Sequence, residues 1–407
     1  MPETDLLTER TREIIEADWR YGAHNYAPLP VVLERGEGVF VWDVDGRRYF
    51  DMLSAYSALN QGHRHPRIVS AAMEQIQKLT LTSRAFYNDV TYRFFRKVCE
   101  LTGFEKVLPM NSGAEAVETA IKAMRKWGYR HKGIAKDQAE IIVCEHNFHG
   151  RTTTIVGFSS DPESYEGFGP PTPGFKQIPF NDPAALEAAI TPQTCGFLVE
   201  PIQGEAGVIV PSPGYLRAVR DICTRHNVIL CLDEIQTGLG RTGRLFCYEH
   251  EEIRPDIVIL GKALSGGLYP VSLIACDDRI MNVFEPGTHG STYGGNPLAC
   301  AIGIAALDVI LDERLPDRAA ELGTYFLSKL RTLEHPRLKE VRGLGLLAAV
   351  EFTEPVAKEF CKKLQARGIL AKDTHGTTVR FAPPLVITEG QIDEAFAIIR
   401  SALAALS

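Results

Sequence analysis

Four short apolar runs constrain the fold of this 407-residue chain more than any other feature. They are Ile141–Cys144, Cys195–Val199, Val228–Leu232 and Ile257–Leu260. Each is continuous rather than alternating, and segments of helical periodicity separate them. Strands buried on both faces read this way, so residues 57–283 predict a mostly parallel sheet with helices on both sides. On either side the pattern changes. Val39–Val44 and Arg47–Phe50 flank Asp45-Gly46, a dipeptide that tolerates the positive φ of a tight hairpin turn. Further on, Leu344–Phe352 reads as a strand, and Val356–Arg367 as a helix stopped by Gly368. The last helix carries Ile392, Phe396, Ile399 and Leu403 on one face, with Thr388 and Gln391 at capping-box spacing. The expected fold class is α/β. A large domain at 57–283 is followed by a smaller α+β domain at 284–407, with an N-terminal hairpin segment at 1–56 packing on the small domain.

Bulk composition narrows the class. A hydrophobic fraction of 45% and a charged fraction of 23% are those of an ordinary globular protein. A net charge of −7 argues against nucleic-acid binding, which needs a basic face. No apolar run reaches the ~20 residues of a membrane helix. The first residues lack both a secretory apolar core and the acid-poor character of a presequence. The expected location is therefore the cytoplasm, or a mitochondrial matrix if a presequence has been removed. Nine scattered cysteines without a C-x-x-C pair read as buried thiols, not as a disulfide framework.

In open α/β sheets ligands bind beyond the carboxyl ends of the strands. Each of the four runs ends in a chemically loaded tail. Cys144 leads to Asn147–Arg151, Val199 to Glu200–Glu205, Leu232 to Asp233, and Leu260 to Gly261 and Lys262. The last two are the decisive pair. An amine and a carboxylate at neighbouring strand ends are what pyridoxal phosphate requires. The lysine binds its aldehyde, and the carboxylate keeps its ring nitrogen protonated, so that the ring can act as an electron sink. A third element fits the same cofactor. Asn111–Ala116 opens a helix, Ser112 and Glu115 have capping-box spacing, and Gly113 lets the first-turn amides approach a phosphate. Phe148, at a strand end, can stack on a heterocycle.

Three other signals fail. Gly238–Gly243 matches G-x-G-x-x-G but neither follows its strand directly nor opens a helix, so it is no dinucleotide fingerprint. His63 and His65 flank a turn at Pro66 and do not read as metal ligands. Cys144, His146 and His149 lack a second ligand pair nearby.

At this point the chain resembles a known family, the class III, fold-type I pyridoxal-phosphate aminotransferases, and within them the ornithine aminotransferases. The resemblance spans nearly the whole chain. It is carried by Tyr21–Tyr26, Ser54–Gly62, Leu81–Tyr87, Glu200–Gly207, Asp233–Gly243, Leu260–Pro270, His289–Asn296 and Arg380–Leu385. It implies that Lys262 carries the cofactor and shuttles the proton, and that Asp233 pairs with the ring nitrogen. Gln236 would bond the ring hydroxyl, while Phe148 and Ile235 would flank the ring. Gly113 and Ala114 would give amides to the phosphate, and Ser291 and Thr292 would reach the phosphate of a partner subunit. The active unit would then be a homodimer or a dimer of dimers. Tyr26 and Arg151 would bind the far end of ornithine, with Tyr56 shaping the pocket. No metal is implied. His149 is a departure, because animal members have tryptophan there.

The implied reaction moves the δ-amino group of L-ornithine to 2-oxoglutarate. The products are glutamate and glutamate 5-semialdehyde, which cyclises to pyrroline-5-carboxylate. Glutamate needs an arginine for its near carboxylate, a role that falls to Arg380. Ornithine would leave that charge unpaired in a closed site, which is costly. Glu205 matches the family's masking carboxylate, so a Glu205–Arg380 ion pair is expected. Rival readings are another class III ω-aminotransferase (acting on acetylornithine, 4-aminobutyrate or lysine), a pyridoxal-phosphate mutase or racemase, and a non-catalytic binding protein on a retained fold.

Overall fold

The computed structural model describes residues 7–406. Fifteen strands are found among them. In chain order they are β1 Leu33–Glu37, β2 Phe40–Asp43, β3 Arg48–Asp51, β4 Lys106–Met110, β5 Glu140–Cys144, β6 Phe175–Ile178, β7 Thr194–Val199, β8 Ile229–Asp233, β9 Ile257–Leu260, β10 Ser272–Cys276, β11 Leu338–Leu344, β12 Leu347–Phe352, β13 Ile369–Leu370, β14 Lys372–Thr374 and β15 Thr378–Phe381.

Seven of them form the central sheet in the order β4-β10-β9-β8-β7-β5-β6. The four apolar runs of the sequence are its middle strands β5, β7, β8 and β9. They pair in parallel with one another or with their neighbours, so their carboxyl ends share one rim. β10 runs antiparallel between β4 and β9 and is the one reversed strand of the seven. Every residue of β7, β8 and β9 is buried, as continuous apolar runs require. Helices cover both faces. Gly113–Arg130 lies on one side, with Ala116, Val117, Ala120, Ile121 and Met124 turned inward.

The Asp45-Gly46 hairpin forms between β2 and β3, with Gly46 at φ +82°. The short strand β13 joins β3 in parallel, so a C-terminal segment completes the N-terminal sheet. The third sheet, β11-β12-β15-β14, is antiparallel. Here one expectation needs correction. Leu344–Phe352 is not a single strand, because Leu344 ends β11 and the chain turns through Gly345 before β12 begins at Leu347. Gly345 has φ +58°, a turn conformation that an uninterrupted strand excludes. The helices Ala357–Gln365 and Glu389–Ala404 form as read, the latter with the Thr388–Gln391 capping box. The helix Pro297–Asp312 packs against Pro66–Ile76 and Thr91–Thr102, so the segment after 284 begins in contact with the large domain. Among the described residues no helix is long and apolar enough to cross a membrane.

Candidate active site

Asp233 closes β8 and is only 5% exposed at its side chain. Its Oδ1 accepts the Ile235 amide at 3.1 Å, and its Oδ2 takes a hydrogen bond from His149 Nδ1 at 2.7 Å. The His149 side chain is fully buried. Burial opposes its charge, but the hydrogen bond and the charge of Asp233, with Glu200 behind, carry its pKa above the ordinary value. Its Nε2 is buried without a partner. Glu200, also buried, accepts the Phe148 amide at 2.9 Å and so fixes the tail that carries His149. Burial pushes its carboxyl up to about 7, against the pull of the His149 charge. Sequence reading treated His149 as a discounted metal ligand and a departure from the family. The structure makes it the partner of Asp233. The signal was its place in the same strand-end tail as Phe148, but the carboxylate it meets is 84 residues away in sequence.

Lys262 follows β9 at the start of the short turn Lys262–Ser265, in left-handed backbone with φ +47°. Burial in the cleft lowers its pKa, opposed by the charges of Glu205 and Asp233. The same site therefore gathers Lys262, Asp233, Glu205 and Arg380. Beside them the helix Gly113–Arg130 begins with the expected capping box. Glu115 N meets Ser112 Oγ at 3.2 Å, and Ser112 N meets Glu115 Oε2 at 2.7 Å. Helix geometry leaves the amides of Gly113 and Ala114 without intrahelical acceptors. A Cβ on Gly113 would stand 2.9 Å from Ile235 Cδ1, so a larger residue here would push on the side chain expected under the ring. Ser291 Oγ accepts from Asn111 Nδ2 at 2.9 Å, next to this helix start in the same chain. Thr292 is exposed. A free-amide cradle opening on a glycine, a lysine and a buried carboxylate together fit pyridoxal phosphate.

The opposite end of the cleft is built around Arg380, in β15 and 4% exposed. Its Nη1 donates to Glu205 Oε1 at 2.7 Å and to Gly204 O at 3.2 Å, while its Nε is buried without a partner. The Glu205 side chain is 26% exposed. Burial alone would raise its pKa, but Arg380 and then Lys262 hold the carboxyl below the ordinary value. The expected ion pair is present. Gln236 Nε2 lies 3.4 Å from both Glu205 Oε1 and the Tyr56 carbonyl. A Cβ on Gly204 would stand 1.4 Å from Gln236 Oε1. The backbone at Glu205–Gly207 is gripped from the C-terminal antiparallel sheet. Thr374 Oγ1 donates to its carbonyl at 2.7 Å, and Arg342 donates to Gly207 O at 2.7 Å.

The Tyr56 ring lies 5.3 Å from the Arg380 guanidinium carbon. It sits in a turn, Ser54–Ser57, whose four residues all have positive φ. Such backbone costs a residue with a Cβ about 1–2 kcal/mol. Sequence reading missed this turn, which contains neither glycine nor asparagine. Tyr26 is 69% exposed, and Arg151 is exposed with its guanidinium 5.7 Å from the Phe148 ring. The chain does not bring these two onto the Arg380 end.

The rejected motifs have other uses. Arg241 of Gly238–Gly243 is fully buried and donates to Leu346 O at 2.9 Å, Pro383 O at 2.6 Å and Asn60 Oδ1 at 2.6 Å. Burial lowers its pKa to about 9. It ties the loop after β8 to the residues that flank β12 and β15. His63 bonds Asp51 and His65 bonds Glu313.

Residues 21–403 match the family model described as Aminotransferase class-III. A relative from Geobacillus sp. (strain WCH70), named ornithine aminotransferase, is 56% identical over 395 residues, 97% of this chain and 99% of its own. The structure of an ornithine aminotransferase from Toxoplasma gondii, with PLP at partial occupancy in its active site, is 47% identical. It has a TM-score of 0.96 and covers 97% of this chain and 94% of its own. An acetylornithine aminotransferase from Elizabethkingia anophelis is 51% identical, with a TM-score of 0.90, covering 98% of this chain and all (100%) of its own.

Proposed function

The chain belongs to the class-III aminotransferases, and we propose that it moves the δ-amino group of L-ornithine to 2-oxoglutarate with pyridoxal 5'-phosphate. The observation that carries the substrate reading is the Glu205–Arg380 pair at 2.7 Å. A donor amine at the end of a chain has no carboxylate beside it, so Arg380 must be neutralised while ornithine reacts. A dicarboxylate acceptor needs Arg380 free. A masked arginine satisfies both substrates in one cleft.

Pyridoxal phosphate, when bound, would supply the acceptor for the amino group and an electron sink for the carbon that bore it. The chain supplies the rest. Gly113 and Ala114 amides hold the phosphate at the helix start. Ser291 and Thr292 reach the phosphate of the partner copy in a homodimer or dimer of dimers. Phe148 and Ile235 flank the ring, and Gln236 bonds its hydroxyl. Asp233, oriented by His149, would pair with the ring nitrogen. Lys262 carries the cofactor, then takes the proton from Cδ of ornithine as a free amine. Its lowered pKa suits a general base. Tyr26 and Arg151 close on the α-carboxylate as the donor binds, and Tyr56 shapes the wall. The product glutamate 5-semialdehyde cyclises to pyrroline-5-carboxylate. Nine unpaired thiols suit a reducing cytoplasm.

The similarity to an acetylornithine aminotransferase favours one second reading, with an acylated donor. The test is spectroscopic. Ornithine alone should bleach the yellow holoenzyme. Adding 2-oxoglutarate should restore the band, and an aminobenzaldehyde should trap pyrroline-5-carboxylate. A band that ignores ornithine but bleaches with acetylornithine would assign the second substrate.

A further inference from the structure

Ser54, Ala55, Tyr56 and Ser57 hold φ of +50°, +47°, +62° and +73°. Left-handed backbone at four successive residues with a Cβ persists only where the surroundings over-determine it. The turn's own side chains do not hold it. The Ser54 and Ser57 hydroxyls are buried without partners, and Ala55 is exposed. Backbone hydrogen bonds, Tyr56 N to Leu53 O at 2.9 Å and Ala58 N to Ser54 O at 2.8 Å, close the turn, and further constraint comes from outside. Asp51, at the end of β3, accepts the amides of Leu53 at 3.0 Å and Ser54 at 2.8 Å on Oδ1. Its Oδ2 meets His63 Nε2 at 2.7 Å. His63 is fixed in turn. Its amide donates to Gly38 O at 2.9 Å and its carbonyl accepts from Gly38 N at 3.2 Å. Its ring fills the space where a Cβ on Gly36 would stand, 2.6 Å from Nδ1. Downstream, Asn60 donates to Leu239 O and Gln61 to Ala263 O, each at 2.9 Å. The turn is thus held between the N-terminal hairpin and the residue after Lys262. Tyr56 is the residue it delivers, ring toward Arg380 and carbonyl toward Gln236.

We infer that Asp51 and His63 are positioning residues for substrate selection, holding Ser54–Ser57 left-handed so that Tyr56 stands against the masked Arg380. The inference deepens the proposed δ-amine specificity and rests on it.

The test compares steady-state kinetics and thermal melting of the holoenzyme across four substitutions. Asp51→Asn and His63→Ala should raise the KM for ornithine about tenfold, with kcat held within about twofold. His63→Gln, whose side-chain amide can still donate to Asp51, should recover most of the loss. Ala55→Gly removes only an exposed methyl at a left-handed residue, a conformation glycine adopts freely, and is the control. Its Tm and its KM for ornithine should both hold within about twofold, because the turn stays left-handed. An Asp51→Asn protein that loses Tm and kcat with KM unmoved overturns the inference. So does a KM in His63→Ala that stays at the native value. If Asp51→Asn fails to fold, His63→Ala against His63→Gln decides. If the native protein rejects ornithine but turns over another ω-amine, the substrate reading fails, and the same KM comparison with that donor still tests the turn.

Discussion

Two charge pairs of equal length hold opposite ends of the cleft, and their surroundings differ. His149–Asp233 and Glu205–Arg380 both close at 2.7 Å. At the first, both side chains are out of solvent, and Asp233 is further held by the Ile235 amide. At the second, Arg380 is buried but Glu205 keeps a quarter of its surface exposed, with Gln236 as a second partner at hydrogen-bond limit. A fully enclosed pair has no alternative state, because opening it strands a charge in low dielectric. A pair with one wet partner can open at modest cost. On the proposed function, the same 2.7 Å contact would be a fixture at the ring end and a gate at the carboxylate end.

Breaking the fixture should cost most. Asp233→Asn removes the buried charge, and kcat should fall by about two to four orders of magnitude, the rate equivalent of the ~3–5 kcal/mol lost when a buried pair is broken. Single-turnover bleaching by ornithine measures it. A loss below tenfold would mean the ring end is not locked. Opening the gate should come next. Glu205→Ala leaves Arg380 unmasked, and the ratio of α- to δ-transamination should rise about ten- to a hundredfold, as expected for a lost charged hydrogen bond. Rates with glutamate and ornithine give that ratio, and an unchanged value removes the gate. Smaller still, His149→Asn keeps a donor near Asp233 but loses the cation. Cofactor affinity, read by equilibrium dialysis, should weaken about tenfold, with the KM for 2-oxoglutarate unmoved. A shifted KM there would couple the two ends.

The fixture and the gate were not equally legible. β5, β7, β8 and β9 announce themselves because strands buried on both faces must be apolar throughout. Asp233 and Lys262 follow as polar residues ending such runs. The flanking strands were silent. β4 contains Pro109, which argues against a strand, and β6, Phe-Lys-Gln-Ile at an edge, offers neither an apolar run nor an alternation. The reversal of β10 leaves no compositional mark. Glu205 and Arg380 were paired only through family resemblance, since 175 residues separate them. His149 was misjudged because local spacing cannot show a partner contributed by another strand. The left-handed turn at Ser54–Ser57 escaped because none of its residues favours positive φ, and the contacts around it, such as Asp51 on the amides of Leu53 and Ser54, come from tertiary structure.

The subtlest separation of the two ends is in pH. The folded pKa of His149 lies above its ordinary 6.5, so its contribution to stability is complete below that value and is lost as pH rises through the raised folded value. Glu200 has the same sign. Raised to about 7 from 4.5, it contributes less as pH climbs across that interval. Glu205 is opposite. Its folded pKa lies below 4.5, so its contribution is complete above that value and is lost as pH falls through the lowered one. Each unit of difference between the two states is worth about 1.4 kcal/mol. Urea melts between about pH 3 and 9, a range that reaches below the ordinary carboxylate value, should therefore diverge from the native curve in opposite directions. His149→Asn should lose stability mainly on the acid side of neutrality and converge with the native protein when alkaline. Glu205→Gln should lose it at neutral and alkaline pH and converge on acidification. Parallel curves for the two variants would show that both pairs respond to the same environment, and the distinction between fixture and gate would fall.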